Sequence, residues 1–249
     1  MYMSEVLIYN MLKTYPLMLY NRRVINFVEV IVMIKFSPSL LSADYANMGE
    51  DIRSCLECGA DYLHYDVMDG SFVSNINFGI PGLKSLRKCT DGFFDVHLMI
   101  ERPVRYVEQF CKAGADLVNC HIEADTEENT HEALRIIKEN GVKAGITIRP
   151  DSSPEAVLPF IHEVDLILIM TVVPGQGGQS FMMSQLDTIR KVREYINEMN
   201  PECELEVDGG INAYTAPLAI EAGANVLVSG SAFFASADRA AMVKRLKGE

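Results

Sequence analysis

The 249-residue chain has no excess of basic charge: 22 Lys and Arg stand against 34 Asp and Glu, a formal net charge of −12. A nucleic-acid backbone or an anionic membrane needs a basic face, so neither is expected as a partner. A small phosphorylated ligand stays open, because it needs only local donors. No apolar run reaches the roughly 18 residues that span a bilayer. Arg22 and Arg23 precede "VINFVEVIVM", yet Glu29 interrupts that run and no small-x-small cleavage site follows, so secretion is not expected. Among six cysteines, Cys55 and Cys58 form a C-x-x-C, but no second C-x-x-C or C-x-x-H pair completes a zinc site. That pair closes a predicted helix, whereas a thioredoxin-type motif opens one. The cysteines read as ordinary thiols of a reducing cytosol, and the expected location is cytoplasmic.

Hydrophobic residues make up 49% of the chain and charged ones 22%, enough for a sizeable core that needs neither disulfides nor metal merely to fold. Residues 1–32 read as an appended leader outside the domain, either a mis-started extension before Met33 or a short amphipathic element on the surface. Residues 33–249 are expected to form one domain. Within it, short β-branched runs alternate with segments of helical period. Strands are predicted at 34–39, 61–66, 93–98, 116–121, 142–147, 164–170, 203–208 and 225–229. Helices are predicted near 45–58, 79–88, 103–113, 127–140, 154–161, 182–198, 212–222 and 239–247. A phrase also recurs: "CGADYLH" (58–64), "AGADLVNCH" (113–121), a weaker "HEVDLILIM" (162–170) and "AGANVLVSG" (222–230). Its Asp or Asn falls at 61, 116, 165 and 225, always two β-α units apart. Eight units with a doubling period predict an α/β fold, a (β/α)8 barrel. A doubly wound open sheet is the alternative, but no G-x-G-x-x-G follows strand one.

Barrel chemistry sits at the carboxyl ends of the strands. Strand one ends at Ser39, strand two in His64 and Asp66, strand three carries Asp95 and His97, strand four ends at His121 and strand seven at Asp208. Residues two apart share a face, so His64 and Asp66 point together. Buried side by side they need a partner. Two imidazoles and two carboxylates about one centre suit a divalent ion such as Zn2+, Fe2+, Mn2+ or Co2+. His64, Asp66, His97 and Asp208 are the expected ligands. His121 either backs a ligand or is structural, Asp69 orients the next loop, and Asp95 faces either the metal or a helix. The later loops are glycine-rich: "VVPGQGGQSF" (172–181), "DGGIN" (208–212) and "SGSA" (229–232). Such loops bring backbone N–H groups close to an anion, and barrels often hold phosphate after strands seven and eight. Metal on one side of the mouth and phosphate on the other would fit a small sugar phosphate.

"SPSLLSAD", "HYDVMDG", "DVHLMI", "VVPGQGGQSF", "EVDGGIN" and "VSGSA" resemble, in order, the motifs of the ribulose-phosphate 3-epimerase family, over residues 34 to about 247. The resemblance implies interconversion of D-ribulose 5-phosphate and D-xylulose 5-phosphate in the pentose phosphate pathway, and a homo-oligomer. It implies that Asp66 and Asp208 are the acid/base pair and also metal ligands, with His64 and His97 completing the set. It implies substrate contacts at Ser39, His97, Gly175, Gln176, Gly177, Gly178, Asp208, Gly209, Gly210, Gly230 and Ser231, with Met68, Met99 and Met170 near the reacting carbon. The chain departs from the family pattern at Ser71, Ser74 and Gln176, none of which is a ligand or proton carrier. Two other functions are weighed: a D-allulose 6-phosphate epimerase, and a non-catalytic sugar-phosphate-binding barrel. The intact "DGGIN" favours the pentose, and the presence of both Asp66 and Asp208 favours catalysis. A Schiff-base aldolase is disfavoured because no Lys stands at a strand's carboxyl end.

Overall fold

The aliphatic runs become strands covered on both faces, which is why they read as nearly continuous apolar stretches. The computed structural model describes residues 33–249. Its strands are β1 (Lys35–Pro38), β2 (Tyr62–Asp69), β3 (Ile76–Asn77), β4 (Phe93–Met99), β5 (Leu117–His121), β6 (Lys143–Ile148), β7 (Leu166–Met170), β8 (Glu204–Asp208) and β9 (Val226–Ser229). All but β3 run parallel, in the order β1-β9-β8-β7-β6-β5-β4-β2. The ring closes between β1 and β2, where the Asp61 N–H donates to the Phe36 carbonyl over 2.9 Å and Ser39 bridges His64. Helices separate successive strands, giving the (β/α)8 barrel that the alternation predicts.

Two elements differ from expectation. β3 is a two-residue strand folded back antiparallel on Met68 and Asp69, too short to leave a periodic trace. The segment expected as a helix at 154–161 is instead a 3-10 turn, Pro154–Phe160, with Pro159 inside it. Proline has no N–H to give, so a continuous i to i−4 ladder cannot form there. The leader expected over residues 1–32 lies outside the described residues.

The recurring phrase has one physical job at each copy. The side-chain oxygens of Asp61, Asp116, Asp165 and Asn225 accept the backbone N–H of Phe36, Phe94, Ala144 and Leu205, at 2.8, 2.8, 2.9 and 2.7 Å. Each therefore ties the start of one strand to the strand before it at the barrel's amino end. The glycine of the phrase caps the preceding helix in left-handed backbone, as at Gly114 (φ 109°) and Gly223 (φ 115°).

Strand alternation splits the apolar residues into two cores. Leu63, Tyr65 and Val67 of β2 face outward to join Ile52, Leu83 and Phe110 from the helices. Tyr62, Leu117, Leu166, Leu168 and Val226 fill the barrel interior. Below them, the Lys35 ammonium donates to the Tyr62 hydroxyl (2.7 Å) and pairs with Glu204, closing the amino end. Everything polar on the same inward positions nearer the other end is left to build the mouth.

Candidate active site

His64 and Asp66 of β2 face inward because Leu63 and Tyr65 face the helices. Asp66 sits level with His97 of β4, and His64 level with Asp95. The cluster expected from the strand ends is assembled. His64 Nε2 lies 3.3 Å from His97 Nδ1, both nitrogens lie 3.4 Å from Asp66 Oδ1, and Asp208 Oδ2 lies 3.9 Å from His64 Nε2. All four donor atoms fall within 4.8 Å of one another. The two histidines are fully buried and Asp66 nearly so, while Asp208 is half-buried at the cavity floor. The second oxygen of Asp66 accepts the Ser39 hydroxyl at 2.7 Å, which explains the place of that serine.

The proton positions can be read from the partners. Asp95 is fully buried and faces inward. Its Oδ2 lies 2.5 Å from His64 Nδ1 and its Oδ1 accepts from Asn119 at 2.8 Å, while Thr147 donates to Asn119 at 2.7 Å. Because a carboxylate accepts, His64 donates through Nδ1, which leaves Nε2 as the atom it can offer a cation; without one, burial is outweighed by Asp66 and Asp95, which favour the charged imidazole. Two imidazole lone pairs and two carboxylate oxygens thus converge where little water can enter. Such a donor set fits a divalent cation, and the hydrogen bond from the far nitrogen of His64 to a carboxylate is the usual support for a ligating histidine.

Burial disfavours charge on Asp66, but the neighbouring His64 and His97 outweigh it and hold this carboxyl well below the usual range. Burial, reinforced by the Asp66 and Asp95 charges against the pull of His64, pushes Asp208 up to about 7. His97 is pushed down to about 4, chiefly by burial. The two aspartates are therefore shifted in opposite directions in the protein's own field, Asp66 downward and Asp208 upward. A bound cation lowers both. Glu206, two residues before Asp208 and also inward, is fully buried and raised well above its ordinary range by desolvation and by Asp95. Its oxygens and the Ser37 hydroxyl have no hydrogen-bond partner among the described residues.

Above the cluster opens a cavity of about 530 Å³. Ser39, Asp66, Asp208, Met68, Met99 and Met170 line one part of it, and Gly175, Gln176, Gly177, Gly178, Gly209, Gly210, Gly230 and Ser231 the other. His97, expected also to touch substrate, is fully buried and lies beneath that wall. Gly210 must be glycine: at φ 67° its Cβ would lie 2.3 Å from the Phe181 backbone nitrogen. The β7 loop is tied across itself by Gln179, whose amide donates to the Val173 and Gln176 carbonyls at 2.7 and 2.8 Å. Asn75 of the β2 loop donates to the Gly175 carbonyl at 3.3 Å, joining the two sides of the mouth. Asp69, as expected, organises its loop, accepting from the Ser71, Phe72 and Glu101 N–H groups.

Ser37, Asn119, Thr147 and Glu206 are not singled out by the sequence reading. Ser37, Asn119 and Glu206 lie two residues before Ser39, His121 and Asp208 on the same face, so extending the period of two inward from those strand ends would have found them, but not Thr147. Glu123, which meets His121 from the turn after β5, leaves no such trace.

The model of the ribulose-phosphate 3 epimerase family matches residues 35–234. A ribulose-phosphate 3-epimerase from Bacillus subtilis is 46% identical over 217 residues, covering 87% of this chain and 99% of the relative. The cytoplasmic isoform from Oryza sativa subsp. japonica is 40% identical over 216 residues, covering 86% and 92%. Among solved structures, 3-hexulose-6-phosphate synthase from Salmonella typhimurium superposes with a TM-score of 0.65 at 18% identity, covering 86% of this chain and 97% of that one, which speaks for the fold. On a family match running through nearly the whole barrel, and on relatives this similar from end to end, the chain belongs to the ribulose-phosphate 3-epimerase family.

Proposed function

We propose that the barrel mouth interconverts D-ribulose 5-phosphate and D-xylulose 5-phosphate, an isomerase reaction in which the carbon beside a ketone is inverted. The observation that carries this reading is the meeting of Asp66 and Asp208 in one cavity, with their carboxylate oxygens close enough to share a single centre. Inversion requires a proton to leave one face of the carbon and another to arrive on the opposite face. An ionised carboxylate takes the first and a protonated one gives the second, and the roles exchange in the reverse direction. Ser39 holds one oxygen of Asp66 and so fixes the orientation of the carboxylate. Met68, Met99 and Met170 keep water from the reacting carbon. A divalent ion held by His64, Asp66, His97 and Asp208 would supply positive charge to the substrate oxygens as they become anionic.

The substrate phosphate is assigned to the glycine loops after β7, β8 and β9, which line the cavity and whose missing side chains would let an anion approach the backbone N–H groups. Free thiols at the cysteines support a reducing, cytoplasmic setting. No helix among the described residues is long and apolar enough to cross a membrane. Asp208→Asn tests the mechanism: it should still bind inorganic phosphate but stop exchange of the substrate C3 proton with solvent. Exchange at the wild-type rate would refute two-carboxylate transfer. Turnover measured on ribulose 5-phosphate and on allulose 6-phosphate decides the substrate; faster turnover of the hexose would overturn the assignment.

A further inference from the structure

We infer that Glu123 and His121 are positioning residues that select which ring nitrogen His97 offers to a cation, an inference that rests on the four-donor site proposed above. Glu123 lies in the turn Ile122–Ala124 directly after β5. Its Oε1 accepts the Arg149 N–H at 2.8 Å and also the Ser152 hydroxyl, which pins the side chain to the loop after β6. Its Oε2 lies 3.2 Å from His121 Nδ1. A carboxylate can only accept, so the proton of this imidazole stands on Nδ1 and its Nε2 is a bare acceptor. That Nε2 lies 3.0 Å from His97 Nε2, which must then carry the proton between them. His97 Nδ1 is left bare, and Nδ1 is the atom that lies 3.3 Å from His64 Nε2 and 3.4 Å from Asp66 Oδ1.

The chain of partners explains an asymmetry in the site. His64 turns Nε2 inward because Asp95 takes the proton on its Nδ1, whereas His97 turns Nδ1 inward because the relay from Glu123 requires its proton on Nε2. Both His97 and His121 are fully buried, so water cannot substitute for a missing partner. The Phe72 ring packs 4.8 Å from the His121 ring and holds its plane. With the opposite tautomer in His121, His97 would direct an N–H at the cation position, where it repels rather than binds.

Glu123→Gln is the discriminating variant because it keeps size and shape. The Arg149 N–H needs an acceptor, so the amide oxygen stays there and the NH2 turns to His121 Nδ1, reversing each proton in the relay. Imidazole 15N resonances of the metal-free protein read the tautomers directly. The expected result is His97 protonated on Nε2 in the wild type and on Nδ1 in Glu123→Gln. Affinity for Zn2+, measured by competition with a chelator, should fall about 10- to 100-fold. An unchanged His97 tautomer, or Zn2+ binding as tight as in the wild type, overturns the inference; a role in packing alone predicts that outcome for so close an isostere. His121→Phe supplies a second test, since it removes the acceptor but keeps a ring, and retention of the His97 Nε2 proton preference there also overturns it. Failure of the wild type to bind any divalent ion would instead refute the four-donor reading, while the metal-free tautomers would still decide the relay.

Discussion

Asp95 Oδ2 lies 2.5 Å from His64 Nδ1, and Asn119 holds the other oxygen at 2.8 Å. In Asp95→Asn the amide oxygen is drawn to the Asn119 donor, so the new NH2 faces His64 and forces its proton onto Nε2. Divalent-ion affinity is expected to drop about 10- to 100-fold with the fold retained. Chelator competition beside a circular-dichroism spectrum measures both, and wild-type affinity would show that the contact does not set the ligand. At this scale the strand-end residues were legible, because a His and an Asp two apart on a buried face need a common partner. The direction of Asp95 was not. Period two places it beside His97, but only the packed barrel shows that its partner is an imidazole and not a helix.

At the scale of elements, the barrel is stitched at its amino end by the four copies of one contact. Asn225 stands where Asp61, Asp116 and Asp165 stand, and its oxygen alone accepts from Leu205 and from Arg193. Asn225→Asp should therefore be nearly neutral in urea unfolding, whereas Asn225→Leu should lose about 1–3 kcal/mol by leaving a buried N–H unpaired. Equal losses in the two variants would mean that the contact is not the reason for the repeat. Helix and strand positions were readable because each element is long enough to show its period. β3 and the 3-10 turn at Pro154–Phe160 were not, one for its brevity and the other because its apolar spacing is helical while Pro159 breaks the ladder.

For the molecule as a whole, stability and catalysis are expected to separate. Two apolar cores hold the barrel, so stripping metal with a chelator should abolish turnover while a far-UV spectrum stays native, and an added divalent ion should restore activity. Full activity in metal-free protein would exclude the ion from the reaction, and unfolding would make it structural. The family match covers residues 35–234, and residues 1–32, expected from the sequence to be an extension, lie outside the described residues. Deleting them should leave kcat/KM unchanged; a correctly folded but inactive product would show that the extension serves the reaction.

The sequence by itself determined the alternation of strand and helix, the closed ring of eight and the set of inward polar strand ends, because periodicity and chain order are local properties. Only the tertiary structure decided which nitrogen of each histidine faces the cluster, why His97 lies under the cavity wall, and how Glu123 joins the site from a turn. Those depend on hydrogen bonds and desolvation between residues of different strands, and such distances exist only once the barrel has closed.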